Sequence, residues 1–168
     1  MLYFSYGSNM SIKRIQQRIP LATFVSIATL PGHNLLFHKV GQDSSAKCDA
    51  HETGQPGDAV IGVVFEISQS EKRCLDQFEG LGHGYKDKTV QLIGTDGLSL
   101  QATTYYATKI NTSLKPFHWY KNHVVRGAAE NGLPEDYIQA IINVESIADP
   151  KPDRHERETL IYRVQRYV

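Results

Sequence analysis

The chain has 168 residues, 40% of them apolar and 10% aromatic, enough for one domain with a full hydrophobic core and no need of a disulfide or metal staple. Its 18 basic and 18 acidic side chains balance, which removes the electrostatic footprint of a nucleic-acid or anionic-membrane binder and points to a small molecule or a protein as partner. Cys48 and Cys74 form no C-x-x-C pair, no signal-peptide pattern precedes Tyr3, and no apolar run reaches membrane-span length, so a soluble, cytoplasmic chain with reduced thiols is expected.

The first element is the apolar run at Tyr3, Phe4 and Tyr6, a buried strand that ends on Gly7-Ser8-Asn9. Ile12, Ile15 and Ile19 then recur at helical spacing among charged residues, one apolar stripe of a helix that Pro20 stops. A strand, glycine turn and helix in this order aim backbone N–H groups and a positive helix end at one spot, which suits a carboxylate or phosphate. A helix cap by Asn9 or Ser11 accounts for the same residues. Thr23 to Leu30 and Asn34 to Val40 flank Pro31-Gly32 and read as a pair of strands, while the polar, aperiodic Gly41 to Gly57 is expected to be a long surface loop. "AVIGVVFEI", Ala59 to Ile67, is continuously apolar, as a central strand is.

Ser68 and Glu71 make a capping box for a helix whose buried side is expected to be Cys74, Leu75 and Phe78 and which ends at Gly80. Tyr85 to Ile93 and Leu98 to Ala107 form a hairpin around Thr95-Asp96-Gly97. A helix is expected between Pro116 and Asn131-Gly132, and another from Pro134 with Tyr137, Ile138, Ile141 and Ile142 as its stripe. A charged tail from Asp149 closes on "TLIYRV", read as an edge strand. Strands and helices mix without steady alternation, so the expected fold is a single α+β domain on a curved or barrel-like mixed sheet with flanking helices.

The second stretch that points to chemistry is "CLDQFEGLGHGY", Cys74 to Tyr85. Glu79 follows the apolar Phe78 at a helix end and precedes glycines at 80, 82 and 84, a place where a partly desolvated carboxylate becomes a proton acceptor near neutral pH. Position alone allows a solvated Glu with Gly80 as the helix C-cap equally well. Of the other constellations, the histidines at 33, 38, 51, 83, 118, 123 and 155 show no metal-ligand spacing, Cys74 reads as a core thiol, and Glu130 as an exposed helix end.

Taken together, Tyr6-Gly7-Ser8-Asn9 and Leu75-Asp76-Gln77-Phe78-Glu79-Gly80 resemble the γ-glutamylcyclotransferase family (AIG2-like superfamily), in which a strand ending in Tyr-Gly-Ser-Asn is followed, after a central strand, by Leu-Asp-x-x-Glu-Gly. "GAAENGLPEDY", Gly127 to Tyr137, is similar to the C-terminal helix junction of the γ-glutamyl-amino-acid cyclotransferases. The resemblance spans Tyr3 to Tyr137 and fades in the tail; Met10 replaces a more usual Leu, and Gly41 to Gly57 has no family match. It implies a cyclotransferase that turns γ-glutamyl amino acids into 5-oxoproline and the free amino acid, with no cofactor and no metal. It implies Glu79 as general acid and base, and the stretch Tyr3, Phe4, Ser5, Tyr6, Gly7, Ser8 and Asn9 as substrate-binding, with Tyr120 matching a family tyrosine and Tyr105 a weaker candidate. The expected partner is a small γ-glutamyl molecule, neither nucleic acid nor membrane, and a homodimer is left open as the assembly. A binding or regulatory domain of the same fold without turnover, and a cyclotransferase acting on a γ-glutamylamine or another γ-glutamylated metabolite, stand as the alternatives.

Overall fold

The computed structural model describes residues 1–163. In chain order the elements are β1 (Leu2–Ser5), a 3-10 turn (Ser8–Met10), α1 (Ile12–Arg18), β2 (Thr23–Pro31), β3 (His33–Val40), β4 (Ala46–Glu52), β5 (Ala59–Glu66), α2 (Gln69–Glu79), β6 (Tyr85–Gly94), β7 (Ser99–Ala107), α3 (His118–Glu130), α4 (Glu135–Asn143) and α5 (Pro152–Leu160). The sheet closes into a barrel in the order β1-β5-β2-β6-β7, with β3 and β4 as a separate hairpin. Its neighbours are antiparallel except β1 and β7, which meet in parallel at Tyr3 and Thr103. The expected barrel-like mixed sheet is therefore present. β5 lies between β1 and β2, and its Val60, Val63, Val64 and Phe65 are buried, which is why that segment is apolar without alternation. No helix among the described residues is long and apolar enough to cross a membrane.

Four expectations are corrected. β2 and β3 are strands but do not pair with each other. Gly32 at their corner donates its N–H to the Asp58 carbonyl and accepts from Thr53 and Gly54, so a third segment holds the corner and β3 leaves the barrel. The stretch read as a long loop contains β4. Ala46, Cys48 and Ala50 alternate on one buried side, and the polar residues between them that hid the pattern are themselves paired, Lys47 with Asp43 and Asp49 with His38. On α2 only Leu75 of the three expected core residues is buried; Cys74 is exposed, and Phe78, 55% exposed, carries the Arg18 guanidinium over its ring at 5.3 Å. The charged tail forms α5, with Pro152 at its first turn, held by Arg154 to Asp149 and by Glu158 to Arg14. Of "TLIYRV", Thr159 and Leu160 end α5, Ile161 to Arg163 continue as turn and bend, and Val164 lies outside the described residues.

The capping box holds as read: Ser68 Oγ accepts from Glu71 N–H, and Glu71 Oε2 accepts from Ser68 N–H at 2.9 Å. α2 then ends on Gly80 in the left-handed conformation, φ 65°, which sets Glu79 as its last residue. The cap expected of Asn9 or Ser11 is absent, because neither side chain bonds the start of α1. Glu130 does so instead, accepting the Ile12 N–H at 2.5 Å, and Asn131 donates to the Met10 carbonyl at 3.0 Å. The end of α3 thus grips the turn between β1 and α1. Gly127 permits the approach: a Cβ there would stand 2.5 Å from Ser11 N and 2.7 Å from the Met10 carbonyl carbon. Gly127→Ala is expected to cost about 1–3 kcal/mol, because backbone rather than a flexible side chain must move. A thermal melt should show it as a loss of about 2–4 °C per kcal/mol.

Candidate active site

Strand alternation along β1 sends Tyr3 and Ser5 to one side and Phe4 to the other. Tyr3 and Ser5 line a small cavity at the mouth of the barrel, whereas Phe4, fully buried, packs in the core against the Gly62 position. The chain then turns at Gly7, and Ser8 and Asn9 complete the floor. Glu79 enters the same cavity from the end of α2, Tyr85 from β6, Tyr105 from β7, Tyr120 from α3 and Cys48 from β4.

Glu79 is oriented by two donors on one oxygen. Asn9 Nδ2 donates to Oε1 at 2.9 Å and Arg18 Nη1 donates to the same atom at 2.8 Å. Among the described residues no protein donor lies on Oε2. Because Asn9 Nδ2 also donates to the Tyr3 hydroxyl at 3.2 Å, its Oδ1 is directed elsewhere and is buried without a partner, as is Ser5 Oγ. Buried polar atoms are almost always hydrogen-bonded, so both atoms, unpartnered among the described residues, are left free to bond a polar group that reaches them. Asn9 Oδ1 and Glu79 Oε2 are acceptors and suit an ammonium.

The tyrosines divide by where their protons go. Tyr6 donates to the Tyr105 carbonyl at 2.6 Å, Tyr85 to the Cys48 carbonyl, and Tyr105 to Asp76 Oδ1 at 2.7 Å. Tyr120 instead accepts from the Cys48 N–H at 3.0 Å, and Tyr3 accepts from Asn9, so both keep an O–H to offer. Burial pushes all of these phenols well above the ordinary tyrosine range, and it lifts the Cys48 thiol to about 12. They act as neutral donors and Cys48 as an inert wall.

A second, larger outer cavity opens beside the first and shares Ser8, Glu79, Tyr85 and Tyr120 with it. Phe78 and Trp119 give it apolar surface, and it is rich in cations, among them Arg18, Lys39 and Lys47.

Of the residues expected from sequence, Tyr3, Ser5, Tyr6, Gly7, Ser8, Asn9, Glu79 and Tyr120 meet at the inner cavity, and so does the weaker candidate Tyr105. Phe4 is the exception, and strand alternation is the signal that separates it. Tyr85 closed the second quoted motif, and its position straight after Gly84 was the hint to it. Lys47 and Cys48 lie on β4, which the sequence does not reveal, while Lys39 lies on the expected strand Asn34 to Val40 without any signal that marks it as a site residue. Histidine spacing along the chain also misses that β3 and β4 bring His38, Asp49 and His51 together, with ligand-type atoms within 4.8 Å; His38 Nε2 lies 2.8 Å from Asp49 Oδ2.

The AIG2-like family model matches residues 59–141. A bovine γ-glutamylcyclotransferase is 34% identical over 151 residues, which cover 86% of this chain and 78% of the relative, and the human protein of that name is 34% identical over 148 residues. A solved structure titled gamma-glutamyl cyclotransferase superposes with a TM-score of 0.83 at 28% identity, covering 94% of this chain and 98% of the other. A carboxylate fixed at the mouth of a barrel, beside a Tyr-Gly-Ser-Asn turn, agrees with these likenesses in sequence and in fold: the chain belongs to the γ-glutamylcyclotransferase family of enzymes.

Proposed function

We propose that the inner cavity binds the γ-glutamyl group of a γ-glutamyl amino acid and converts it to 5-oxoproline, in a cytosolic reaction that needs no cofactor. The observation that carries this reading is the Glu79 carboxylate, with Oε1 pinned by Asn9 and Arg18 and Oε2 open to the cavity. The substrate's α-ammonium docks between Oε2 and Asn9 Oδ1. Glu79 takes its proton, the freed amine attacks the γ-carbonyl carbon, and a C–N bond forms that closes the five-membered ring. The tetrahedral oxyanion accepts hydrogen bonds from the hydroxyls that keep a proton, Tyr3 and Tyr120, and from the N–H groups of the turn. The old amide C–N bond then breaks as Glu79 returns the proton to the departing amine; Glu79 next carries the second proton of the ring nitrogen to that amine, which leaves as the ammonium, so the lactam is neutral and the carboxylate is regenerated. Folding the glutamyl chain back on itself is the main work of the cavity, since correct placement of two groups in one molecule is worth several kcal/mol, up to about 7–11.

The test is release of 5-oxoproline from γ-glutamyl dipeptides, ε-(γ-glutamyl)-lysine and glutathione. Stoichiometric 5-oxoproline and free amine from at least one of them is expected. Calorimetric binding of all of them with no product from any would replace this reading by that of a binding domain.

A further inference from the structure

The outer cavity contains five cationic side chains, and four of them are neutralised by a carboxylate: Arg14 by Glu158 at 2.7 Å, Arg18 by Glu79 at 2.8 Å, Lys47 by Asp43 at 2.8 Å and Arg154 by Asp149 at 2.5 Å. Lys39 is the fifth. Among the described residues it has no acidic or hydrogen-bonding partner, although only 6% of its surface is exposed. Its ammonium rests over the Tyr85 ring, 4.4 Å from the centroid.

The fold accepts costs to put it there. Lys39 stands directly opposite Lys47 across the β3–β4 ladder, and like charges in that relation are destabilising. Burial disfavours its charge and lowers its proton affinity. Gly84 leaves it room, since a Cβ at that position would lie 3.1 Å from Lys39 Cε and 3.3 Å from Nζ. Glu79 and Asp43 are near enough to favour its charge but form no ion pair with it among the described residues, and a buried cation of that kind, lining an open cavity, fits an anionic group brought by a ligand.

The ligand's geometry says which group. Once the glutamyl part is in the inner cavity with its amine at Glu79, the scissile amide lies at the junction where the two cavities share Glu79, Tyr85 and Tyr120, and the leaving group extends outward. Resting on the cyclotransferase reading above, we propose that Lys39 binds the free α-carboxylate of the departing amino acid and so selects γ-glutamyl amino acids over γ-glutamylamines, which lack that carboxylate.

The test compares γ-glutamyl-alanine with γ-glutamyl-ethylamide on wild type, Lys39→Met and Lys39→Arg, by steady-state kinetics and by calorimetry. Wild type should favour the alanine substrate by about 10–100-fold in kcat/KM, chiefly through KM, the range of a charge-assisted hydrogen bond. Lys39→Met should abolish the preference and leave ethylamide turnover within about twofold, while Lys39→Arg, which keeps the charge, retains part of it. Lys39→Met should melt at or above the wild-type temperature, which keeps the comparison free of misfolding. Equal loss on both substrates would overturn the proposal by assigning Lys39 to the glutamyl end, and an unchanged preference would overturn it outright. Should neither substrate yield 5-oxoproline, the cyclotransferase reading falls separately. Calorimetry then decides on Lys39: tighter binding of the alanine compound that Lys39→Met erases supports the carboxylate contact, and equal binding refutes it.

Discussion

Glu79→Gln should fold as the wild type does and lose about a hundredfold to ten-thousandfold in turnover, the range for deletion of a general base. The amide matches the carboxylate in shape: its carbonyl can keep the bonds from Asn9 and Arg18 that Oε1 accepts, while its NH2 takes the place of the open Oε2. An NH2 group accepts no proton, so only substrate that has already lost its α-ammonium proton reacts. The residual rate should then climb about tenfold per pH unit until the α-amine's own pKa, about 8 for such groups, a steeper profile than that of the intact enzyme. Retention of more than about a tenth of the wild-type rate would remove Glu79 from the chemistry. Glu130→Gln is the matching control, since Glu130 caps α1 and does not line the cavity.

Gly7→Val is expected to raise KM by about a hundredfold or more, the scale on which misplacing a reacting group acts. Gly7 has φ −119° and ψ −143°, not a left-handed conformation, and the space around it is what a side chain would take. A Cβ there would be 3.1 Å from Cys48 Cβ and 3.5 Å from the Tyr120 hydroxyl, and the two valine methyls would reach further into the cavity. Gly7→Ala should fall between wild type and valine. Kinetics and thermal melts on the pair separate the outcomes: an unaltered KM in a well-folded variant would make the turn structural only.

The two motifs that could be read along the chain carry their meaning in local geometry. Tyr6 to Asn9 announces a turn through Gly7, and Glu79-Gly80 announces a helix end, and both sit where those signals say. What joins them is not local. Asn9 meets Glu79 across 70 positions, and no spacing rule reports that contact. The third motif looked like a helix junction and proved to be a clamp, because Gly127, Glu130 and Asn131 act on backbone atoms of residues 10–12. β4 stayed hidden for a different reason. Its Lys47 and Asp49 read as surface residues because burial of a charge is costly, and only their partners Asp43 and His38 make it tolerable. Lys39 lies on a strand that the sequence does show, but its burial and its place in the cation-lined outer cavity depend on the pairing with β4. α5 went unread because its helix-forming contacts are ion pairs to Asp149 and Arg14 rather than an apolar stripe.

The single parallel contact of β1 with β7, and its antiparallel ladder with β5, bear on how the protein is made. As the chain emerges from the ribosome, Leu2–Ser5 has no partner until Ala59–Glu66 has been synthesised, and its second neighbour arrives only with Thr103. Contacts this far apart in sequence close later than those between neighbours in the chain, the ladder with β5 after the hairpin β3–β4 and the contact with β7 after the hairpin β6–β7. The glycine turn is seated later still, once the end of α3 is in place. A nascent or partly unfolded molecule can thus hold most of its secondary structure while the inner cavity is still unformed.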